Sequence, residues 1–318
     1  MKKHNKGSNK LLRFFQRVGG SCRPLVSYVR EHILFSIFAL IFVVSACMLL
    51  INAVKRHADT KEVEEQQIVL SDEKELTSAM PDFEDGLPKA GVAEILDDFD
   101  YEAIEKIDPF YTPQIMTKYQ TLYETNTDMI GWLYIKDTVI DYPVMQTPED
   151  ENYYLTRDFY HNENSNGTLI MDTDSIVGVG VAYNDYSNGQ KPSSNLIIHG
   201  HTMRNGDMFG SLDMYADEEY GRTHNIICFD SLYEEREYEL IAVFYSQVYN
   251  KSDEVFKYYK FFQADTQAEF DDWYNNIKSL SLYDTGVDAE IGDEFITLSC
   301  CAYHVEDGRF VVVGRRIK

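Results

Sequence analysis

The stretch from Ile33 to Ile51, ILFSIFALIFVVSACMLLI, holds no charged side chain, and its apolar character runs on to Val54 before Lys55 and Arg56 end it. At a helical rise of about 1.5 Å per residue, a run of this length extends roughly 30 Å, about one hydrocarbon core. A buried helix of a soluble domain explains an uninterrupted run of this length poorly. A cleaved signal peptide is the stronger rival, but its charged leader is normally short, and thirty-two residues precede the run. The expectation is a retained single-pass anchor over 33–54. Ahead of it lie Lys2, Lys3, Lys6, Lys10, Arg13, Arg17, Arg23 and Arg30 against the single acidic Glu31. That bias places 1–32 in the cytoplasm and the remainder of the chain outside the cell.

The chain carries 53 acidic against 29 basic residues and a formal charge of −24. With many of the basic residues ahead of the anchor, the outer part is more acidic still. Such a surface argues against nucleic acid as a partner and against an electrostatic grip on anionic lipid, and is ordinary for a soluble exported domain. Of the five cysteines, only Cys228, Cys300 and Cys301 follow the anchor. A disulfide-stapled domain would show a larger, usually even, set, so one reactive thiol is the better reading.

Residues 55–91 are polar and acidic, broken by Pro81, Gly86 and Pro88, and read as a solvated extracellular stalk with at most a short helix. From 92 to 318 the apolar content rises and a folded domain is expected. Thr112 caps a predicted helix with Pro113 at its first position, and Ile115, Met116, Tyr119, Leu122 and Tyr123 repeat on one face. Short β-type runs follow: WLYI at Trp132, TLIMD at Thr168, NLIIH at Asn195, NIICF at Asn225, YELIAVFY at Tyr238, FITLS at Phe295 and RFVVVG at Arg309. With so little helix between them, they predict a mainly antiparallel barrel or sandwich. Thr266 and Glu269 form a capping box ahead of Phe270, Trp273, Tyr274 and Ile277, which predicts a helix just before the last two strands.

Two histidines, His199 and His201, end the apolar run NLIIHGHTM, where a side chain is held by a rigid element and still exposed at its rim. Two imidazoles without further ligands in metal-binding spacing make a weak zinc signal, and no metal or cofactor is called for. In TLSCC, strand alternation turns Thr297, Ser299 and Cys301 to one face and Leu298 and Cys300 to the other. The apolar Leu298 marks the Cys300 side as interior, where a cysteine behaves as a small hydrophobe. A vicinal disulfide is disfavoured, because consecutive Cα atoms lie closer than the usual disulfide range.

TLSCC followed by Arg309 in GRFVVVG resembles the TLxTC-plus-Arg signature of sortases, the cysteine transpeptidases of Gram-positive cell surfaces. NLIIHGHTM is similar to their catalytic-histidine strand. IGWLYIKDTVIDYPVMQ (130–146), YYL at Tyr153 and GDMFGSL at Gly206 resemble class B members, and the resemblance covers 112–318. It implies an eight-stranded β-barrel with N-terminal helices and catalytic Cys301, His201 and Arg309, with Thr297, Leu298 and Ser299 at the bound substrate. It also implies cleavage of an LPxTG-like or NPxTN-like sorting signal after its Thr, a thioester intermediate, and transfer to an amine of a peptidoglycan precursor. The implied partners are secreted proteins bearing that signal, the precursor amine, and the cell membrane through one helix. Cys300 stands where the family usually has Thr, and His199 where an aromatic residue is common. A pilin-polymerising sortase and a non-catalytic, membrane-anchored β-barrel adhesin or scaffold remain the alternatives.

Overall fold

The computed structural model describes residues 8–78, 114–178 and 192–318. The chain divides into two compact units, with the division between Ala58 and Asp59. Helix α1, Ser8–Ser78, contains the segment from Ile37 onward that is long and apolar enough to cross a membrane. Phe35, Phe38, Leu40, Phe42 and Leu49 are all exposed, as a lipid-facing surface requires.

Eight strands carry the second unit: β1 (Met129–Tyr134), β2 (Asp141–Met145), β3 (Leu169–Met171), β4 (Asn195–Gly200), β5 (Ile226–Ser231), β6 (Glu237–Gln247), β7 (Phe295–Cys301) and β8 (Gly308–Arg316). Their hydrogen-bonded order is β1-β2-β3-β4-β7-β8-β6-β5, and β5 returns to β1, so the ladder closes on itself. Most neighbours are antiparallel, whereas β2–β3 and β4–β7 are parallel. Seven of the strands fall on the runs named from sequence. The eighth, β2, contains Pro143, which lacks an N–H and ordinarily argues against a paired strand. Here β3 pairs only with Val144 and Met145, so Pro143 lies beyond its end.

Side-chain parity sorts the sheet into two faces. Ile296, Leu298 and Cys300 of β7 and Phe310 and Val312 of β8 enter one core cluster, shared with Leu133, Val144 and Leu169. Phe295, Val311 and Val313 enter another, against the helix Gln267–Leu280. On β6, Leu240 faces the first cluster and both Ile241 and Ala242 face the second, after which Val243 returns to the first. A register shift between Leu240 and Ala242 marks the bulge that permits this. The helix Gln267–Leu280 begins at the expected capping box of Thr266 and Glu269 and buries Phe270, Trp273 and Ile277.

Two expectations for the N-terminal side are corrected. Helix α2 runs Thr117–Thr125, so Ile115 and Met116 precede it rather than forming its first turn, and Thr112 and Pro113 lie outside the described residues. Residues 59–78 are helical and are not a fully solvated stalk: Val63 and Leu70 are buried against the sheet unit. Leu70 packs with Tyr119, Leu122 and Trp132. The polar side chains around them are also engaged. Asp59 Oδ2 accepts from the Ser165 N–H and hydroxyl, and Gln66 donates to Asp158. Asp141 accepts from Ser71 at 2.9 Å, Lys74 at 3.1 Å and the Trp132 indole at 2.5 Å. Two apolar residues seven apart are too few to raise local hydropathy, yet they suffice for a narrow stripe along a helix. The rest of the stalk, 79–91, and the 91/92 boundary lie outside the described residues.

Two outcomes are expected. In a chain beginning at Lys55, Leu70→Ala should cost about 2–5 kcal/mol in urea denaturation, as for other buried leucines; an unchanged midpoint would detach this helix from the folded unit. The second concerns Cys300, where burial pushes the thiol up to about 12 from an ordinary 9.0. Above pH 9 the native state then holds a proton that the unfolded chain has released, so stability falls as pH rises toward 12. From pH 8 to pH 10 the parent should lose about 1.4 kcal/mol relative to Cys300→Thr. A difference that does not change with pH would mean that the thiol is not sequestered.

Candidate active site

The site lies where three neighbouring strands meet one rim. Strands β4 and β7 run parallel in a register that pairs His199 with Ser299 and Gly200 with Cys300. One step further along both chains stand His201 and Cys301. On the other side of β7, β8 runs antiparallel and pairs Arg309 with Cys301. Directly opposed residues on one face have Cβ atoms about 4.5–5.5 Å apart. His201, Cys301 and Arg309 thus form a row across adjacent strand ends, and all three border one cavity of about 460 Å³.

Backbone geometry holds the row. At Gly200 a Cβ would come within 2.6 Å of side-chain atoms of Leu169 and Phe209, so only glycine lets β4 pass between the two histidines. The Thr202 hydroxyl donates to the Cys301 carbonyl and so ties the turn after His201 to the end of β7. His201 Nε2 lies 2.7 Å from the carbonyl of Leu155, in the 3-10 turn Tyr153–Thr156. A carbonyl oxygen can only accept, so Nε2 carries the proton and Nδ1 is left for proton exchange. The Arg309 guanidinium donates to the carbonyls of Asp307 and Gly308. The Arg309 side chain borders the cavity, to which its charge is available.

The two cysteines occupy different surroundings. Cys301 is partly exposed, whereas Cys300 is 2% exposed and packs in the interior cluster with Leu298. Thr297 and Leu298, expected at the bound substrate, are buried and do not border the cavity: Thr297 donates to the Asn195 side chain, and Leu298 is core. Ser299 does border it, with its hydroxyl 2.7 Å from that of the buried Tyr258. Burial raises the Tyr258 phenol well above its usual value, so it stays protonated. His199 also borders the cavity and meets Asp172 through Nε2 at 3.2 Å.

Leu155, Thr202, Tyr258 and Asp172 were not singled out from sequence. Leu155 contributes a carbonyl, which no residue type reveals. Tyr258 comes from the long β6–β7 connection, forty-one residues before its partner. Asp172 had a weak signal as the carboxylate that ends the TLIMD run.

No family model matches the chain. It is 31% identical over 211 residues to the sortase B of Listeria monocytogenes serovar 1/2a, an alignment covering 64% of this chain and 76% of that protein. The crystal structure of Bacillus anthracis sortase B in complex with AAEK1 superposes with a TM-score of 0.52 at 28% identity, over 68% of this chain and 92% of that one. The Staphylococcus aureus sortase B–substrate complex shares the fold, with a TM-score of 0.54 at 23% identity over 64% and 87% of the two chains. With Cys301 and Arg309 paired on adjoining strands, His201 directly after the neighbouring strand at the same cavity, and sequence kinship to the Listeria protein, the chain belongs to the sortase B family of cysteine transpeptidases.

Proposed function

We propose that this sortase is anchored by the apolar part of α1, with its amino terminus in the cytoplasm and the 92–318 domain, a barrel of the sortase type, outside the cell. It cleaves a C-terminal sorting signal after Thr and passes the acyl group to a peptidoglycan amine. The observation that carries this reading is the row of His201, Cys301 and Arg309 at one cavity. An inert adhesin or scaffold has no need of these three side chains around one cavity. A protein of this fold, the sortase B of S. aureus, was solved as a substrate complex.

The Cys301 thiolate attacks the Thr carbonyl carbon. The C–O electron pair moves onto oxygen, where the Arg309 guanidinium, always protonated and presenting planar donors, stabilises the charge. Imidazolium His201 protonates the departing amide nitrogen as the C–N bond breaks, leaving a thioester on Cys301 and a neutral ring. That ring takes a proton from the incoming amine, the new C–N bond forms, and the sulfur leaves as thiolate. Cys300 contributes no nucleophile, because its thiol stays protonated at neutral pH.

Incubating the chain with a panel of LPxTG-like and NPxTN-like peptides and mapping the trapped acyl-enzyme by mass spectrometry tests this. The expected adduct is on Cys301; an adduct on Cys300, or no cleavage of any peptide, would defeat the reading. His201→Ala should abolish turnover. Arg309→Lys should fold yet lose on the order of 10²- to 10³-fold in kcat/KM, since lysine keeps the charge without the planar fork. A near-normal rate would move the oxyanion contact to another group.

A further inference from the structure

The row of His201, Cys301 and Arg309 acts on the acyl group but offers nothing to hold the second substrate. That capacity lies on the other flank of the cavity. In the strand order β3-β4-β7-β8, Arg309 stands on the β8 side of Cys301, and Asp172, directly after β3, stands on the opposite side. Asp172 Oδ2 accepts from His199 Nε2 at 3.2 Å, and its Oδ1 accepts from the Asp174 N–H at 3.0 Å. Burial by itself would raise this carboxyl. The His199 hydrogen bond, the Asp174 amide and the charges of His199 and Lys260 outweigh it and hold the group below its usual value. Asp172 is therefore a carboxylate at neutral pH, and each of its oxygens keeps an unused lone pair. Because a carboxylate only accepts, His199 Nε2 carries a proton, and Nδ1 is the basic atom of the neutral ring. Glu151 borders the same cavity and is exposed. The cavity thus has a guanidinium on its β8 side and a carboxylate–imidazole pair on its β3–β4 side, with the Glu151 carboxylate also on its lining.

We propose that Asp172, His199 and Glu151 form the acceptor subsite, which selects a primary amine arriving as an ammonium ion. The assignment rests on the transpeptidase reading and adds the group that receives the second substrate. An α-amine is largely protonated near neutral pH, with a pKa of about 8, so it must be bound as a cation and then deprotonated before it can attack. The carboxylates bind it through charge-assisted hydrogen bonds. The first proton passes to neutral His199 Nδ1 and the second to neutral His201 as the C–N bond forms. The C–S bond breaks and its electron pair returns to Cys301. The departure of His199 from the aromatic residue common at this position acquires a purpose: paired with Asp172, it is a carboxylate-oriented base.

The test measures how the thioester partitions, using the full chain in detergent and an NPxTN-like or LPxTG-like peptide that it cleaves. Product joined to triglycine is compared with hydrolysed product, and the comparison is repeated with hydroxylamine, which is uncharged near neutral pH. Both products arise from the same thioester, so their ratio is independent of the acylation rate. In Asp172→Asn and in His199→Phe the triglycine-to-water ratio should fall roughly tenfold or more, while the hydroxylamine-to-water ratio stays within about twofold. An unchanged triglycine ratio in both variants overturns the subsite. Equal losses with both acceptors also overturn it, because the pair would then serve the acyl group rather than a cation. A parent that forms no thioester with any peptide overturns the transpeptidase reading itself and this inference with it.

Discussion

The parallel ladder between β4 and β7 is the constraint on which the site depends. It joins strands a hundred residues apart in sequence, from Asn195 with Phe295 to Gly200 with Cys300. Strand side chains alternate with a period of two, so a slip of one residue would turn Cys301 inward and bring Cys300 out. Packing on both faces of β7 forbids the slip. Leu298 is held in the interior cluster and Phe295 in the cluster against the helix Gln267–Leu280, and neither fits the other's place without opening a cavity. The register that fixes the core is therefore the register that brings the turn carrying His201 up to Cys301. Strand β8, locked to β7 from Phe295–Arg315 to Cys301–Arg309, adds the guanidinium by the same means.

The pair of cysteines shows how far burial alone separates like residues. Cys300 and Cys301 are neighbours in sequence, yet Cys300 sits among apolar groups that penalise its thiolate. Cys301, at the strand end, is partly exposed to the cavity. Selectivity between adjacent thiols thus needs no dedicated residue. It follows from the pleat and from the end of the strand.

At the start of β2, Asp141 has a comparable organising role for residues 59–78 of α1. One carboxylate at the start of β2 receives Ser71 and Lys74 from the helix and the Trp132 indole from β1, while Lys74 also lies 4.4 Å above the Trp132 ring. A surface ion pair by itself contributes little. Here the bonds accompany the burial of Val63 and Leu70, which supplies the larger stabilisation.

The sequence by itself determined the apolar span, seven of the eight strands, the capped helix before β7, the opposite facing of Cys300 and Cys301, and His201 and Arg309 as their companions. These rest on local periodicity, capping chemistry and short motifs, all carried by residues close together in the chain. Tertiary structure decided what pairing over long distances decides. Pro143 is admitted to β2 because β3 is too short to reach it. Residues 59–78 fold onto the sheet unit because two isolated apolar side chains find a groove that does not exist until the strands have assembled. Thr297 and Leu298 turn out to be framework, although they stand close to Cys301 in the motif. The carboxylate of Asp172 meets His199 only because β3 is hydrogen-bonded to β4. A motif marks which residue types adjoin the reacting atom along one strand; which groups face it from neighbouring strands is set by register, and register is a property of the packed sheet.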